Sequence, residues 1–180
     1  MSAKYRFFII VFTVLYLSGC GYTAGSLLPN HLRTIYVEDF GNKIDPSSEP
    51  SGKHGFRIYR AGVETDITEA IVSQFIFDGH LHIVDKDDAD LVLRGGLLDY
   101  YKQPLRYDRF DNVEEYRVII TVDMELVDVA RDSELWKEKD FIGYDTYRLT
   151  GAFASGEEEA REGAIKDLAK KIVEKVIEAW

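Results

Sequence analysis

The chain has 180 residues, and 32 Asp and Glu against 22 Lys and Arg give it a formal net charge of −10 at pH 7. This surplus of carboxylates argues against nucleic acid as a partner, because affinity for a nucleic-acid backbone comes from cations that neutralise phosphates. The length suits one globular domain with a core large enough to fold without a metal or a disulfide. A single cysteine excludes an intrachain disulfide, and no cofactor or metal is predicted.

Residues 1–19 have the pattern of a bacterial secretion signal. Two cations, Lys4 and Arg6, precede the 11-residue apolar run Phe7–Leu17, which is shorter than the roughly 20 residues that a membrane-spanning helix needs. The run leads into Leu17-Ser18-Gly19-Cys20, which resembles the lipobox of bacterial lipoproteins. We therefore predict a signal peptide over 1–19 and a cysteine, Cys20, that carries palmitate-type acyl chains.

Cleavage before Cys20 would remove both N-terminal cations and leave 20 cations against 32 carboxylates, a net charge of −12. Gly21 rather than Asp after the cysteine is compatible with export to the outer membrane of a Gram-negative cell. The alternative is an ordinary cleaved signal peptide with a chance cysteine. Residues 20–30 are predicted to form a short tether, and 31–180 a single domain.

The first half of this domain is predicted to contain one strand, one long loop and one helix. A β-rich segment, Leu32–Phe40, precedes a Pro-, Ser- and Gly-rich loop over 41–62, whose length is typical of a functional or mobile insertion. Thr65 or Asp66 is predicted to cap a helix that ends near Asp78, before Gly79.

This helix is apolar around more than half of its circumference. Ile67, Ala70, Ile71 and Phe75 form one stripe, whereas other apolar residues lie off it. Either the helix is packed deeply in the core, or it presents a surface to a partner. Under the second interpretation the partner-facing residues are Val72 and Ile76.

Four further strands and a second helix complete the pattern. The predicted strands are Leu81–Val84, Leu91–Tyr101 with a bulge or sharp coil at Gly95-Gly96, Tyr116–Asp128 and Leu135–Tyr144. In Tyr116–Asp128 apolar residues occupy every second position, which predicts that one face of this strand packs in the core and the other is largely wet. Core-face residues are Tyr116, Val118, Ile120, Val122, Met124 and Leu126.

The last helix opens at the capping box Ser155-Gly156-Glu157-Glu158 and is amphipathic to Trp180. The order of elements predicts an α+β fold. It is a two-layer sandwich with a mostly antiparallel or mixed sheet of four to five strands and both helices on one face.

The sequence contains no motif for catalysis. It lacks the nucleophile elbow, the dinucleotide-binding glycine pattern and the phosphate-binding loop. His80 and His82 could both project from one strand face as metal ligands, but solvated histidines at a strand end are the simpler interpretation. We predict that the protein is not an enzyme.

Aromatic residues concentrate between residues 100 and 147, with six of the 11 tyrosines. They indicate either cross-strand packing or an interface. Within this region the predicted loop Lys102–Asp111 mixes cations with rings. Its candidate ligand-binding residues are Lys102, Arg106 and Arg109, which could meet a phosphate or an acidic partner. The alternative is an ordinary charged hairpin tip.

Several segments together resemble the lipopolysaccharide (LPS) assembly lipoprotein family LptE. The segments that carry the resemblance are Ser18–Tyr22, Leu28–Leu32, Thr34–Val37, Phe40–Asn42, Thr65–Ala70 and Ala89–Gly95. The resemblance implies a non-enzymatic outer-membrane lipoprotein that sits in a large β-barrel partner, LptD, and helps to deliver LPS. The acidic balance of the chain departs from what direct binding of an anionic glycolipid favours. Alternatives are a lipoprotein adaptor of another envelope complex and, less favoured, an envelope hydrolase.

Overall fold

A computed structural model describes Pro29 and residues 31–45, 56–57 and 60–178. Cys20, the predicted signal peptide and most of the predicted tether lie outside these residues. The described strands are β1 (Thr34–Val37), β2 (Gly41–Asn42), β3 (Phe56–Arg57), β4 (His82–Ile83), β5 (Leu91–Tyr107), β6 (Val113–Asp128) and β7 (Ser133–Arg148). The two helices are α1 (Val63–Asp78) and α2 (Glu157–Glu178), and a short 3₁₀ turn spans Lys86–Asp88.

The strands form one open mixed sheet with the main order β4-β1-β5-β6-β7. β1 runs parallel to both of its neighbours, whereas β5, β6 and β7 form an antiparallel meander. The short strands β2 and β3 pair with β5 outside this order, so part of the predicted 41–62 loop is strand. The predicted α+β class is confirmed.

Both helices cover the same face of the sheet and share its core. They begin side by side, where the Arg161 guanidinium contacts the carboxylate of Asp66. They then run back toward the end of the sheet where β5 starts, and Lys175 of α2 reaches Glu138 of β7. A single buried cluster joins β1, β5, β6 and both helices, with Ile35, Phe75, Ile120 and Leu168 fully buried.

The predicted alternation in β6 is confirmed for its core face. Val118, Ile120 and Val122 are buried there against the helices. The opposite face is less wet than predicted, because Ile119 and Thr121 are also buried. Ile119 lies between Tyr101 of β5 and Tyr144 of β7 in the ladder, and side chains directly opposite on one face shield each other.

Helix α1 starts earlier than predicted, and its predicted cap is wrong. The N-cap is Gly62, which has φ 99° and makes no side-chain cap, and the Asp66 N–H donates to the Gly62 carbonyl within the first turn. The carboxylate of Asp66 binds Arg161 instead of a backbone N–H. The predicted end is confirmed, since Gly79 has φ 78° and its N–H donates to the Phe75 carbonyl.

Strand β5 is longer than predicted, because the predicted loop Lys102–Asp111 is strand as far as Tyr107. Pairing with β6 continues past Pro104, with register shifts between Pro104 and Tyr107. Such irregularities let a strand accommodate a proline, which has no N–H to donate. The first bulge lies between Leu97 and Asp99, just after the predicted Gly95-Gly96 position. Gly95 itself is required by close packing, since an added Cβ would lie 2.4 Å from the ring of Phe40.

Candidate functional site

The meander extends beyond the helices at one end. Helix α2 starts beside Lys102, whose Nζ lies 2.5 Å from the carboxylate of Glu157. The part of the sheet beyond this contact, with the segment that follows β7, comprises residues 103–117 and 146–154 and is named here the distal tip. The opposite end, where β1, β4 and β5 begin, is named the proximal end. At about 3.3 Å per residue, the 17 residues of β5 separate the two ends by roughly 50 Å.

The distal tip exposes an unusual share of apolar surface. Two of its rings are largely exposed, Phe110 at 70% and Phe153 at 80%. The other large exposed apolar residues of the tip are Leu105, Tyr107 and Leu149. Exposed apolar residues that cluster in this way are typical of an interaction surface rather than of a surface that only meets water.

The turn of the tip is held by one aspartate. The carboxylate of Asp108 accepts hydrogen bonds from the backbone N–H groups of Phe110 at 2.7 Å and Asn112 at 2.9 Å. The side-chain amide of Asn112 also donates to it at 3.0 Å, and this bond is the main cause that lowers the pKa of Asp108. The turn therefore fixes the backbone of Phe110 while its ring stays exposed. The guanidinium of Arg109 lies 4.8 Å from the centre of that ring.

Two arginines share one buried carboxylate at the base of the tip. Glu115 is only 8% exposed and lies 3.1 Å from Arg106 and 3.7 Å from Arg148. These three side chains, with Glu114, Thr150 and Gly151, line an open cleft of about 220 Å³. With Glu114 the cleft holds two carboxylates and two guanidiniums, so its charges balance. Arg106 and Arg148 share Glu115 and are each about half exposed, so their guanidiniums can still donate to an anionic group such as a phosphate.

Lys102 lies behind the tip and is already paired. Burial disfavours its charge and is the largest single effect, but the hydrogen bond and charge of Glu157 together with the effect of Tyr147 outweigh it, so the pKa of Lys102 is raised. The hydroxyl of Tyr147 donates to the same carboxylate at 3.3 Å, and the ring of Tyr147 stacks on Tyr116. The three predicted ligand-binding residues thus divide: Arg106 and Arg109 lie in the tip, whereas Lys102 stabilises the start of α2.

The charge of the tip differs from that of the chain. The tip contains four arginines and four carboxylates and is therefore neutral, in a chain of net charge −10. Sequence analysis missed Arg148, Leu149 and Phe153, because they lie at the end of β7 or just after it and reach the tip only through the pairing of β6 with β7. The cross-strand partners Glu115 and Arg148 are the signal that could have identified Arg148, once the register was known.

The other predicted aromatic and partner-facing residues have mixed environments. Tyr100, Tyr101 and Tyr147 are buried, so this part of the tyrosine cluster serves packing. Val72 is partly buried against the core, whereas Ile76 is 67% exposed.

The two histidines considered as metal ligands are not part of a larger group of ligands among the described residues. Nδ1 of His80 lies 2.7 Å from the carboxylate of Asp78, and His82 is exposed in β4. Among the residues that the structure describes, no group of three or more His, Cys, Asp or Glu side chains could hold a metal ion. Neither of the two described helices is long and apolar enough to cross a membrane.

Solved structures with the same fold come from several bacteria. A protein from Xanthomonas campestris matches with a TM-score of 0.53 and 9% identity, covering 87% of this chain and 91% of its own. Uncharacterized lipoprotein B from Nitrosomonas europaea matches with a TM-score of 0.52 and 17% identity, covering 88% of this chain and 90% of its own. A protein from Chlamydia trachomatis has a TM-score of 0.52 at 11% identity, with coverage of 81% and 95%. At these identities the likeness concerns the fold alone.

The comparison with protein families is more specific. A comparison with curated proteins gave no match. The family model described as LptE, lipopolysaccharide-assembly, matches residues 32–179, which include every described strand and helix. The resemblance seen in the sequence is thereby confirmed, and the chain belongs to the lipopolysaccharide-assembly family LptE.

Proposed function

We propose that the protein is a non-enzymatic outer-membrane lipoprotein that fills the lumen of a large LptD-like β-barrel and assists the passage of LPS to the outer leaflet. The observation that carries this proposal, beside the family, is the length of the meander. Its roughly 50 Å exceed the hydrocarbon core of a bilayer, which is about 30 Å thick. A domain held at its proximal end by a lipid in the inner leaflet of the outer membrane can therefore present its distal tip near the opposite leaflet.

The proposed anchor is the acylated Cys20. The described chain enters the domain at Leu32, which is buried, and Arg33 and Thr34 then bind Asp90 at the proximal end. Several dozen acyl methylenes would contribute about 0.8 kcal/mol each to membrane binding, so the anchor would not readily leave the membrane. The anchor and the distal tip thus lie at opposite ends of the domain.

The outer face of the sheet suits a water-filled lumen. Arg94 lies 3.4 Å from Glu38 and 3.7 Å from Glu125, and Lys137 reaches Glu125 at 2.9 Å. These alternating charges cross β5, β6 and β7 and neutralise one another. Since the interior of a large membrane barrel is polar, a face of this kind can fill it without burying unpaired charge.

The tip is the proposed site of contact with the glycolipid. Arg106 and Arg109 keep their place in this proposal, and Arg148 joins them through its shared contact with Glu115. The exposed rings beside them can pack against acyl chains while the guanidiniums meet phosphates. Among these cations, Lys102 contributes least to the proposed glycolipid binding, because Glu157 already neutralises its charge.

Affinity purification tests the partnership with the barrel. When the protein carries a C-terminal tag and is expressed at its native level, purification through the tag from detergent-solubilised membranes should recover a large outer-membrane barrel. Cys20→Ala is the matched variant, and we expect it to appear in the periplasmic fraction wherever the barrel is absent. Recovery of the tagged lipoprotein alone would contradict the proposal, while membrane pelleting of the variant without the barrel would contradict the anchor.

Charge reversal tests the tip. Arg106→Glu with Arg109→Glu should weaken binding of purified LPS by the detergent-solubilised protein. The control is Lys166→Glu with Lys170→Glu on the exposed face of α2, which changes the net charge equally. Equal losses in both variants would indicate a general charge effect, and unchanged binding in the first would remove the tip from the proposal while leaving the barrel contact intact.

A further inference from the structure

The chain enters the domain between two surface segments of the proximal end. On one side, the Arg33 carbonyl accepts a hydrogen bond at 2.9 Å from the N–H of His82, which closely follows the end of α1. On the other side, the Arg33 N–H donates to the carboxylate of Asp90 at 2.8 Å, and the Asp90 carbonyl accepts from the N–H of Val129. The end of α1 and the turn between β6 and β7 therefore flank the point at which the tether arrives.

Both flanking segments expose apolar side chains. Ile76 and Phe77 in the last turn of α1 are 67% and 85% exposed, and Val129 in the turn is 46% exposed. The neighbouring Phe75 is fully buried, so it is the residue of this turn that packs in the core. Ile76 and Phe77 are therefore not needed to fill the core. Phe77 is more exposed than any other large apolar side chain among the described residues.

We propose that Ile76 and Phe77, with Val129 on the other side of the point where the tether arrives, form a second, non-covalent contact with the phospholipid leaflet that holds the acyl chains of Cys20. This inference rests on the anchor of the proposed function. From Cys20 to Leu32 an extended chain spans at most about 40 Å, so the tether keeps the proximal end within that distance of its own leaflet. Because the tether holds these side chains near the membrane, their effective concentration there is high. A few apolar side chains can then fix the orientation of the domain, although they would bind too weakly to do so in a protein without the tether.

The charges nearby indicate which lipid fits. Asp78 follows Phe77 directly, and Asp85, Asp87 and Asp88 lie in the segment that leads from β4 to β5. The cations of these segments are already paired, since Lys86 lies 3.0 Å from Glu38 and Arg131 lies 3.6 Å from Asp128. Carboxylates in this number repel an anionic surface, so the contact suits a zwitterionic phospholipid such as phosphatidylethanolamine. The two contacts together would hold the proximal end at the level of the inner leaflet, so that the meander, inside the barrel, extends toward the outer leaflet as the proposed function requires.

Site-specific labelling tests the contact. Since the only native thiol is Cys20, which acylation blocks, Ile76→Cys in the full lipidated chain can be labelled with an environment-sensitive fluorophore. The protein is reconstituted in phosphatidylethanolamine-rich vesicles with a small fraction of acyl-chain nitroxide lipid. We expect a blue shift and strong quenching at position 76, weaker quenching after the additional change Phe77→Ser, and less quenching at higher phosphatidylglycerol content. The matched control is Phe153→Cys, which is exposed at the distal tip.

The outcomes separate this inference from the proposed function. A water-like emission at position 76 in protein that carries its acyl chains, by mass spectrometry, would overturn the leaflet contact and leave the anchor in place. If Phe77→Ser does not change the quenching, the quenching comes from the label itself, and the leaflet contact is overturned in this case too. Shielding that appears only when the barrel is present would assign the patch to a protein partner, and an unmodified Cys20 would remove both the anchor and this contact.

Discussion

The helix-covered part of the meander and its distal tip are made of the same three strands but are stabilised differently. Under the helices, Ile120, Val122 and Met124 are buried in one continuous core, and Gly143 lets α2 approach the backbone of β7. The tip has no helix above it, and beyond the pairing of its strands its order depends on local hydrogen bonds of Asp108 and on the contacts of Glu115. Stability is thus concentrated in the covered part, which leaves the tip free to expose the rings and arginines that a binding surface needs.

The largest difference between the two parts should appear when a phenylalanine is truncated in each. Phe75→Ala removes a fully buried ring between α1 and the sheet, and such truncations cost about 3–5 kcal/mol of unfolding free energy. Phe110→Ala removes an exposed ring, for which we expect a change within about 0.5 kcal/mol. Urea unfolding followed by circular dichroism measures both. Similar losses would show that the tip is part of the cooperative core.

A glycine pair sharpens the same comparison. A Cβ on Gly143 would lie 2.4 Å from Cβ of Leu168 and 2.7 Å from the carbonyl oxygen of Ala164, so the strand and helix must separate. We expect Gly143→Ala to destabilise the protein by about 1–3 kcal/mol, as overpacking does. Gly41→Ala is the control, since nothing lies within 4 Å of the added atom. An unchanged thermal midpoint in Gly143→Ala would contradict the close approach of α2.

What the sequence could predict follows the same division. The core face of β6 was predictable because alternation is a local pattern, and Val118 and Ile120 need only a period of two to be placed. The start of α1 was not predictable, since the choice between capping by Asp66 and its contact with Arg161 depends on a residue 95 positions away. In the tip, Arg106 and Arg109 were visible as a local cluster, whereas Arg148 required the register of β6 with β7.

Acid should weaken one contact at the proximal end. The hydrogen bond from the Arg33 N–H is the main cause that lowers the pKa of Asp90, and Thr34 adds to it against the effect of burial. Because the pKa is lower in the folded than in the unfolded state, this carboxylate stabilises the fold above its ordinary pKa of about 3.9 and loses that effect as the pH falls through the folded value.

We therefore expect Asp90→Asn to be less stable than the native protein near neutral pH, and the gap to shrink as the pH falls below about 4. Denaturation curves at several pH values measure the gap. If it stayed constant with pH, the loss would come from geometry rather than from the charge.

The smallest effect on global stability, and the most local one, is expected at the turn of the tip. Asp108→Ala removes the acceptor of the Phe110 and Asn112 N–H groups, so these two amides should exchange with solvent faster while the core amides of Ile120 and Val122 keep their protection. Asp111→Asn is the control, because it alters a neighbouring carboxylate that accepts neither bond. Hydrogen exchange measured by NMR resolves each amide.

The same variant tests whether order in the tip matters for binding. If Asp108 positions Arg109 and Phe110 for a ligand, Asp108→Ala should weaken LPS binding although both residues remain and the core is intact. Loss of protection throughout β6 would instead show that the tip and the covered part unfold together. Unchanged binding with a loosened turn would mean that the arginines act as charges alone, without the fixed ring beside them.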